Sequence, residues 1–136
     1  MFSNFDHLGV AIRRIDDALP FYTEIMGGKV TDRYTSDAPG VEVHVAVVAV
    51  GGMTVELLEP TNENSPIARF MKIKGPGVHH VAYRVENLDE AIREAKEKGV
   101  RFMEETLRTN VRGRRLIYIH LSSRSSAIVE LCEYPK

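Results

Sequence analysis

His7 and His80 stand 73 residues apart in this chain, and Glu56 and Glu130 stand 74 apart. Each half therefore carries one imidazole and, further on, one carboxylate at nearly the same spacing. If the halves fold alike and pack together, the four side chains converge on one cation. Two imidazoles and two carboxylates suit a borderline or moderately hard divalent ion (Co, Ni, Mn, Zn or Fe) better than Ca. Four such ligands leave up to two octahedral positions for water or substrate. A closed structural site would draw more on cysteine, so the set reads as catalytic.

Each residue also has a plainer reading. A lone histidine is more often a packed or hydrogen-bonded side chain than a ligand. Alternation along a strand could turn Glu56 to solvent while Val55 and Leu57 face the core, and the same holds for Glu130 between Val129 and Leu131. Two glutamates in apolar strands, at equivalent places and each matched by an equivalent histidine, favour the metal site. A buried carboxylate needs a paired charge or a cation.

The elements that must position these residues form a two-copy repeat. Phe5-Asp6-His7-Leu8-Gly9-Val10-Ala11-Ile12 lies over Val78-His79-His80-Val81-Ala82-Tyr83-Arg84-Val85, and Met53-Thr54-Val55-Glu56-Leu57-Leu58-Glu59 lies over Ala127-Ile128-Val129-Glu130-Leu131-Cys132-Glu133. Each copy reads as strand, helix and three strands. Helices are expected over 15–26 and 88–98. The first contains Pro20, which is either tolerated near its start or the source of a slight kink. Asn87 with Glu90 predicts a capping box, and Ala91, Ile92 and Ala95 an apolar stripe. Gly27-Gly28 and Gly99 are suited to stopping the two helices. Strands are expected over 29–34, 43–50 and 53–59, then 101–103, 116–121 and 127–134. Gly51-Gly52 predicts a primed hairpin turn and Ser122–Ser126 a serine-rich one. Ser65-Pro66 opens a linking helix that Gly75-Pro76-Gly77 closes. With a two-residue turn at Gly51-Gly52, Val47 lies opposite Glu56 and Val43, Val45 and Val47 share its face, while Glu42 and His44 point away.

Bulk properties narrow the class. A chain of 136 residues, 43% hydrophobic and 27% charged, suits one globular domain. Net charge of −1 gives no reason to expect nucleic acid or an anionic membrane as partner. No apolar run approaches the ~20 residues that span a bilayer, and no signal peptide is visible. The single cysteine, Cys132, suits a reducing cytoplasm and packing rather than catalysis.

The chain resembles the vicinal oxygen chelate superfamily, and within it the methylmalonyl-CoA epimerases. The likeness rests on Asp6-His7-Leu8-Gly9-Val10-Ala11, Val55-Glu56-Leu57-Leu58-Glu59-Pro60, Ser65-Pro66-Ile67-Ala68-Arg69-Phe70, Gly77-Val78-His79-His80-Val81-Ala82 and Val129-Glu130-Leu131. It implies an α+β domain in which two βαβββ modules (about 4–60 and 78–136, joined by a linker helix over 61–77) pair into a curved, U-shaped mixed sheet around a metal. The metal ligands it implies are His7, Glu56, His80 and Glu130, with cobalt favoured over Mn, Ni or Zn. His79 then points away from the site. The implied activity is epimerisation of a 2-substituted malonyl-CoA thioester, with Glu130 taking the α-proton. Glu42 and His44 are the nearest candidates for a second acid or base. Arg112-Gly113-Arg114-Arg115 and Lys72-Ile73-Lys74 could meet the phosphates of a CoA substrate. A homodimer is expected by the same resemblance. The chain departs from the family at His120-Leu121-Ser122-Ser123, where His-Pro-Lys is usual. The main rival is a glyoxalase I-type lactoylglutathione lyase. An extradiol oxygenase needs the position Glu56 would fill, and a metal-free binding protein would not need four ligands.

Overall fold

The computed structural model describes residues 4–123 and 127–136, which divide into two compact units. One comprises residues 7–79. The other comprises 80–136 together with the N-terminal segment ending at Asp6.

In the unit of residues 7–79, strand β1 (Asn4–Ala11, from His7 on) leads to helix α1 (Ile15–Pro20), β2 (Lys29–Ser36), β3 (Val43–Val50), β4 (Met53–Pro60) and α2 (Pro66–Lys74). The strands lie in the order β2-β3-β4-β1, with β2, β3 and β4 antiparallel and β1 parallel to β4. Gly51 and Gly52 have φ of 58° and 77°, the paired positive values of a primed turn. That turn sets the expected register, with Val47 opposite Glu56 and Val45 opposite Leu58. Val48, Val50, Val55 and Leu57 pack with Ile15, Val10 and Ile12 on one face. Val43, Val45, Leu58 and Ala11 pack with Ile67 on the other.

The predicted helix over 15–26 is broken in character. α1 ends at Pro20, and residues Phe21–Ile25 form a π-helical turn in which Met26 N–H reaches Phe21 C=O at 3.0 Å. Proline brings no N–H to the ladder and its ring crowds the preceding turn, so the chain widens instead of continuing. Gly27 then takes φ 75°, while Gly28 is required for space: a Cβ there would lie 2.7 Å from Tyr22 O and 2.9 Å from Val48.

The unit containing residues 80–136 repeats the plan. Strand β5 (Gly77–Arg84, from His80 on) is followed by α3 (Leu88–Glu97), β6 (Phe102–Thr109), β7 (Arg115–Ile119) and β8 (Ile128–Glu133), in the order β5-β8-β7-β6 with β5 parallel to β8. Leu88, Ala91 and Ala95 bury their side chains against Phe102, Ile117, Ile119 and Leu131. Asn87 Oδ1 accepts from Glu90 N–H at 3.0 Å, giving one half of the capping box; the Glu90 carboxylate faces Arg93. β6 is longer than the predicted 101–103. Its Glu104-Glu105 pair has poor strand propensity, but a register shift between Met103 and Arg108 absorbs it and Thr106 Oγ1 accepts from Tyr118 N–H at 2.9 Å. The serine-rich turn lies partly outside the described residues, which resume at Ala127.

One repeated device goes beyond the sequence reading. Glu59 Oε1 accepts from Ile15 N–H at 2.7 Å, and Glu133 Oε1 accepts from Leu88 N–H at 2.8 Å. In each unit the last strand thus caps the first turn of its own helix with a carboxylate, matching the positive end of the helix dipole. Glu59→Ala and Glu133→Ala should each cost about 1–2 kcal/mol in urea unfolding at neutral pH. An unchanged midpoint in both variants would remove the capping role.

Candidate metal centre

Parallel pairing of first and last strands sets the chemistry in each unit. Glu56 lies opposite Gly9, and Glu130 opposite Ala82, in each case the residue two past the histidine. Side chains two apart share a face, so imidazole and carboxylate emerge on the same side of the sheet. The residue beside each glutamate carries no side chain or one methyl group, which leaves room for the carboxylate.

In the unit of residues 7–79, His7 is fully buried and Glu56 is 4% exposed, with His7 Nδ1 3.5 Å from Glu56 Oε2. In the unit of residues 80–136, His80 is 2% and Glu130 1% exposed, with His80 Nε2 3.3 Å from Glu130 Oε1. The solvent-facing alternative for the two glutamates is excluded by these burials. Ionisable groups this deeply buried need a paired charge, a hydrogen bond or a cation. With the facing ring nitrogen deprotonated, each pair presents an N and an O lone pair to one ion. That donor set fits Co, Mn, Ni or Zn and does not discriminate among them.

His80 and Glu130 have neighbours that the sequence reading does not assign. The Tyr118 ring lies 5.4 Å from that of His80, and Tyr118 pairs with Glu130 in the β7–β8 register. Arg114, 8% exposed, places Nε 3.9 Å from Glu130 Oε2. The sequence groups Arg114 with the Arg112–Arg115 run as a surface candidate for phosphate. Period-two alternation back from Tyr118 through Leu116 puts it instead on the face of Glu130. Arg115 is also engaged, with two bonds to Asp89 at 3.1 and 3.3 Å. The hydrogen bond to Arg115, with its charge, holds the Asp89 carboxyl below the usual range. Of the other proposed phosphate contacts, Lys72 lines an open cleft of about 360 Å³ with Arg13, over Pro60, Ala68 and Met71.

Of the second-base candidates, His44 lies off the Glu56 face. His44 Nδ1 is 2.7 Å from Thr35 Oγ1, and His44 pairs with Glu59 in the register. Glu42 sits before β3 with φ 40° and accepts from Gly40 N–H at 3.0 Å. His79 packs edge-on against Phe70, ring centroids 4.8 Å apart, and is 8% exposed. His120 Nδ1 accepts from Ser122 N–H at 3.0 Å where the family turn departs. Cys132 is buried and its thiol is 3.7 Å from Tyr83 O, a packing role. Among the described residues no helix is long and apolar enough to cross a membrane.

Comparison with known proteins follows the same lines. The sequence profile of the Glyoxalase/Bleomycin resistance protein/Dioxygenase superfamily matches residues 6–118. Mitochondrial methylmalonyl-CoA epimerase of Bos taurus is 34% identical over 127 residues, covering 93% of this chain and 71% of that protein. The crystal structure of methylmalonyl-CoA epimerase from Mycobacterium tuberculosis superposes with a TM-score of 0.89 at 30% identity, over 99% of this chain and 90% of that one. A single-residue variant of the Streptomyces coelicolor methylmalonyl-CoA epimerase, in complex with 2-nitronate-propionyl-CoA, gives a TM-score of 0.90 at 26% identity, covering 100% of both chains.

A donor set of this kind should be visible in stability. Addition of CoCl2, MnCl2, NiCl2 or ZnCl2 is expected to raise the unfolding midpoint of the wild-type chain, through a gain of about 2.7 kcal/mol in unfolding free energy at a free-ion concentration a hundredfold above Kd. His80→Ala and Glu130→Ala should abolish that response. A wild-type midpoint indifferent to all four ions would contradict it.

Proposed function

The chain belongs to the Glyoxalase/Bleomycin resistance protein/Dioxygenase superfamily, and we propose that it is an isomerase that epimerises a 2-substituted malonyl-CoA thioester of the methylmalonyl-CoA type. The observation that carries this reading is the pair of buried His–Glu couples, His7 with Glu56 and His80 with Glu130, at equivalent register in the two units. Its epimerase relatives, which share its fold, supply the substrate class.

In this proposal His7, Glu56, His80 and Glu130 together hold one divalent ion, with Co, Mn, Ni and Zn as candidates. Bound there, the ion supplies electrostatic stabilisation for negative charge gathering on the thioester oxygen when the α-proton leaves. The protein's own task is to move that proton. The hydrogen lies between a thioester and a carboxylate and is weakly acidic, so a positioned base is needed. Glu130 takes this role. Its carboxylate is buried, which excludes competing water, and it arises from a central strand of its unit that fixes its direction. Returning a proton from water to the other face completes the inversion. β3 offers no acid for that return on the side of Glu56, where it presents Val43, Val45 and Val47. Neither Glu42 nor His44 is assigned the step. Association into a homodimer belongs to the same proposal, by likeness to the family.

Incubation of metal-loaded protein with methylmalonyl-CoA in D2O should place deuterium at C2 and interconvert the epimers. Glu130→Gln should lower the exchange rate by roughly 10²–10⁴-fold. If the thioester remains unexchanged with every ion while a thiol hemithioacetal of methylglyoxal is consumed, the activity is that of a glyoxalase I-type lyase and the epimerase reading fails.

A further inference from the structure

A buried guanidinium beside a metal-ligating carboxylate calls for a reason, because arginine keeps its proton at every working pH and is costly to remove from water. Arg114 is held there by a constructed turn. Asn110 Oδ1 accepts from the N–H groups of Arg112 (2.9 Å) and Arg114 (3.0 Å), and Asn110 N–H reaches Arg114 O at 2.8 Å. Gly113 permits the turn with φ 84°, and a Cβ there would lie 3.1 Å from Pro135 Cγ.

The far end of the guanidinium is also supported. Arg114 Nη1 lies 3.5 Å from Tyr134 Oη, which donates to Asp6 Oδ2 at 2.7 Å. Burial, and then the bond to Asp6, push the Tyr134 hydroxyl well above its ordinary pKa, so it stays a donor. Arg84 covers the Tyr134 ring, with its Cζ 4.6 Å from the centroid. The two oxygens of Glu130 therefore face different groups: Oε1 lies 3.3 Å from His80 Nε2, and Oε2 lies 3.9 Å from Arg114 Nε, an ion-pair separation too long for a hydrogen bond.

We propose that Arg114 is a positioning residue that holds Glu130 in a one-oxygen pose, offering Oε1 to the ion and keeping Oε2, the oxygen that takes the α-proton, off the ion and beside the guanidinium. The inference rests on the metal reading given above. Its value to the reaction is geometric. A carboxylate that closed on the ion through both oxygens would occupy a further coordination position, one that a chelating substrate needs. Arginine suits this task better than lysine, because its planar fork spans Glu130 and Tyr134 at once.

The test is metal affinity, with the protein otherwise intact. Isothermal titration with Co2+ of wild type, Arg114→Met, Arg114→Lys and Tyr134→Phe should give a Kd for Arg114→Met about 10–100-fold weaker than wild type, the usual cost of losing a group that orients a ligand. Arg114→Lys should recover part of the loss. Tyr134→Phe should weaken binding in the same direction by less. The visible spectrum of bound Co2+ should change in Arg114→Met, which a loss of general stability would not cause. Should Arg114→Met fail to fold, the lysine and phenylalanine variants carry the comparison. Wild-type affinity and spectrum in these variants overturn the role of Arg114 alone. A wild-type protein that takes up no ion overturns the metal reading and this inference with it.

Discussion

The parallel pairing of first and last strands within each unit is the constraint on which the site depends. It sets Glu56 beside Gly9 and Glu130 beside Ala82, and so sends each carboxylate out on the same face as the histidine two residues earlier. A one-residue slip in either pairing would turn the glutamate to the other face, among the side chains that pack against α1 or α3. An anionic group among Ile117, Leu131 and Leu88, for example, has no compensating partner there. The same apolar packing that stabilises each unit therefore also selects the register that brings its histidine and glutamate together.

Carboxylates at the end of each closing strand do two separate jobs. Three residues past Glu56 and Glu130, Glu59 and Glu133 face the other way and cap α1 and α3. An odd offset along a strand gives opposite faces, so one strand end serves both the His–Glu pair and the helix start. This couples the helix to the strand that carries the buried glutamate. Around Glu130 the coupling extends further, through Arg114 and Tyr134 to Asp6. In structural terms Glu130 is supported by the turn at Asn110–Arg114 and by the ends of its own unit.

Much of this is legible in the residues. The near-equal spacing of the histidines and of the glutamates identifies the repeat, and Gly51-Gly52 fixes the β3–β4 register down to the Val47–Glu56 pairing. The Ser65-Pro66 start of α2 is equally direct, since Ser65 Oγ accepts from Ile67 N–H at 3.2 Å. Three features escape for physical reasons. The break after Pro20 depends on how far the chain tolerates a missing N–H. The length of β6 depends on pairing with β7, against the local preference of Glu104-Glu105. Arg114 is hidden in a basic run whose charges suggest a solvated surface, although alternation along β7 points inward. The helix caps have a signal in the repeat itself, where Glu59 lies over Glu133.

The central claim is that both His–Glu pairs serve a single ion. Anomalous diffraction at the cobalt edge from crystals grown with Co2+ tests it most directly. One anomalous peak is predicted, with a nitrogen of His7, a nitrogen of His80, an oxygen of Glu56 and an oxygen of Glu130, each at about 2.0–2.2 Å, distances typical of such ligands. Two separate peaks, one at each pair, or a peak remote from all four residues, would contradict it.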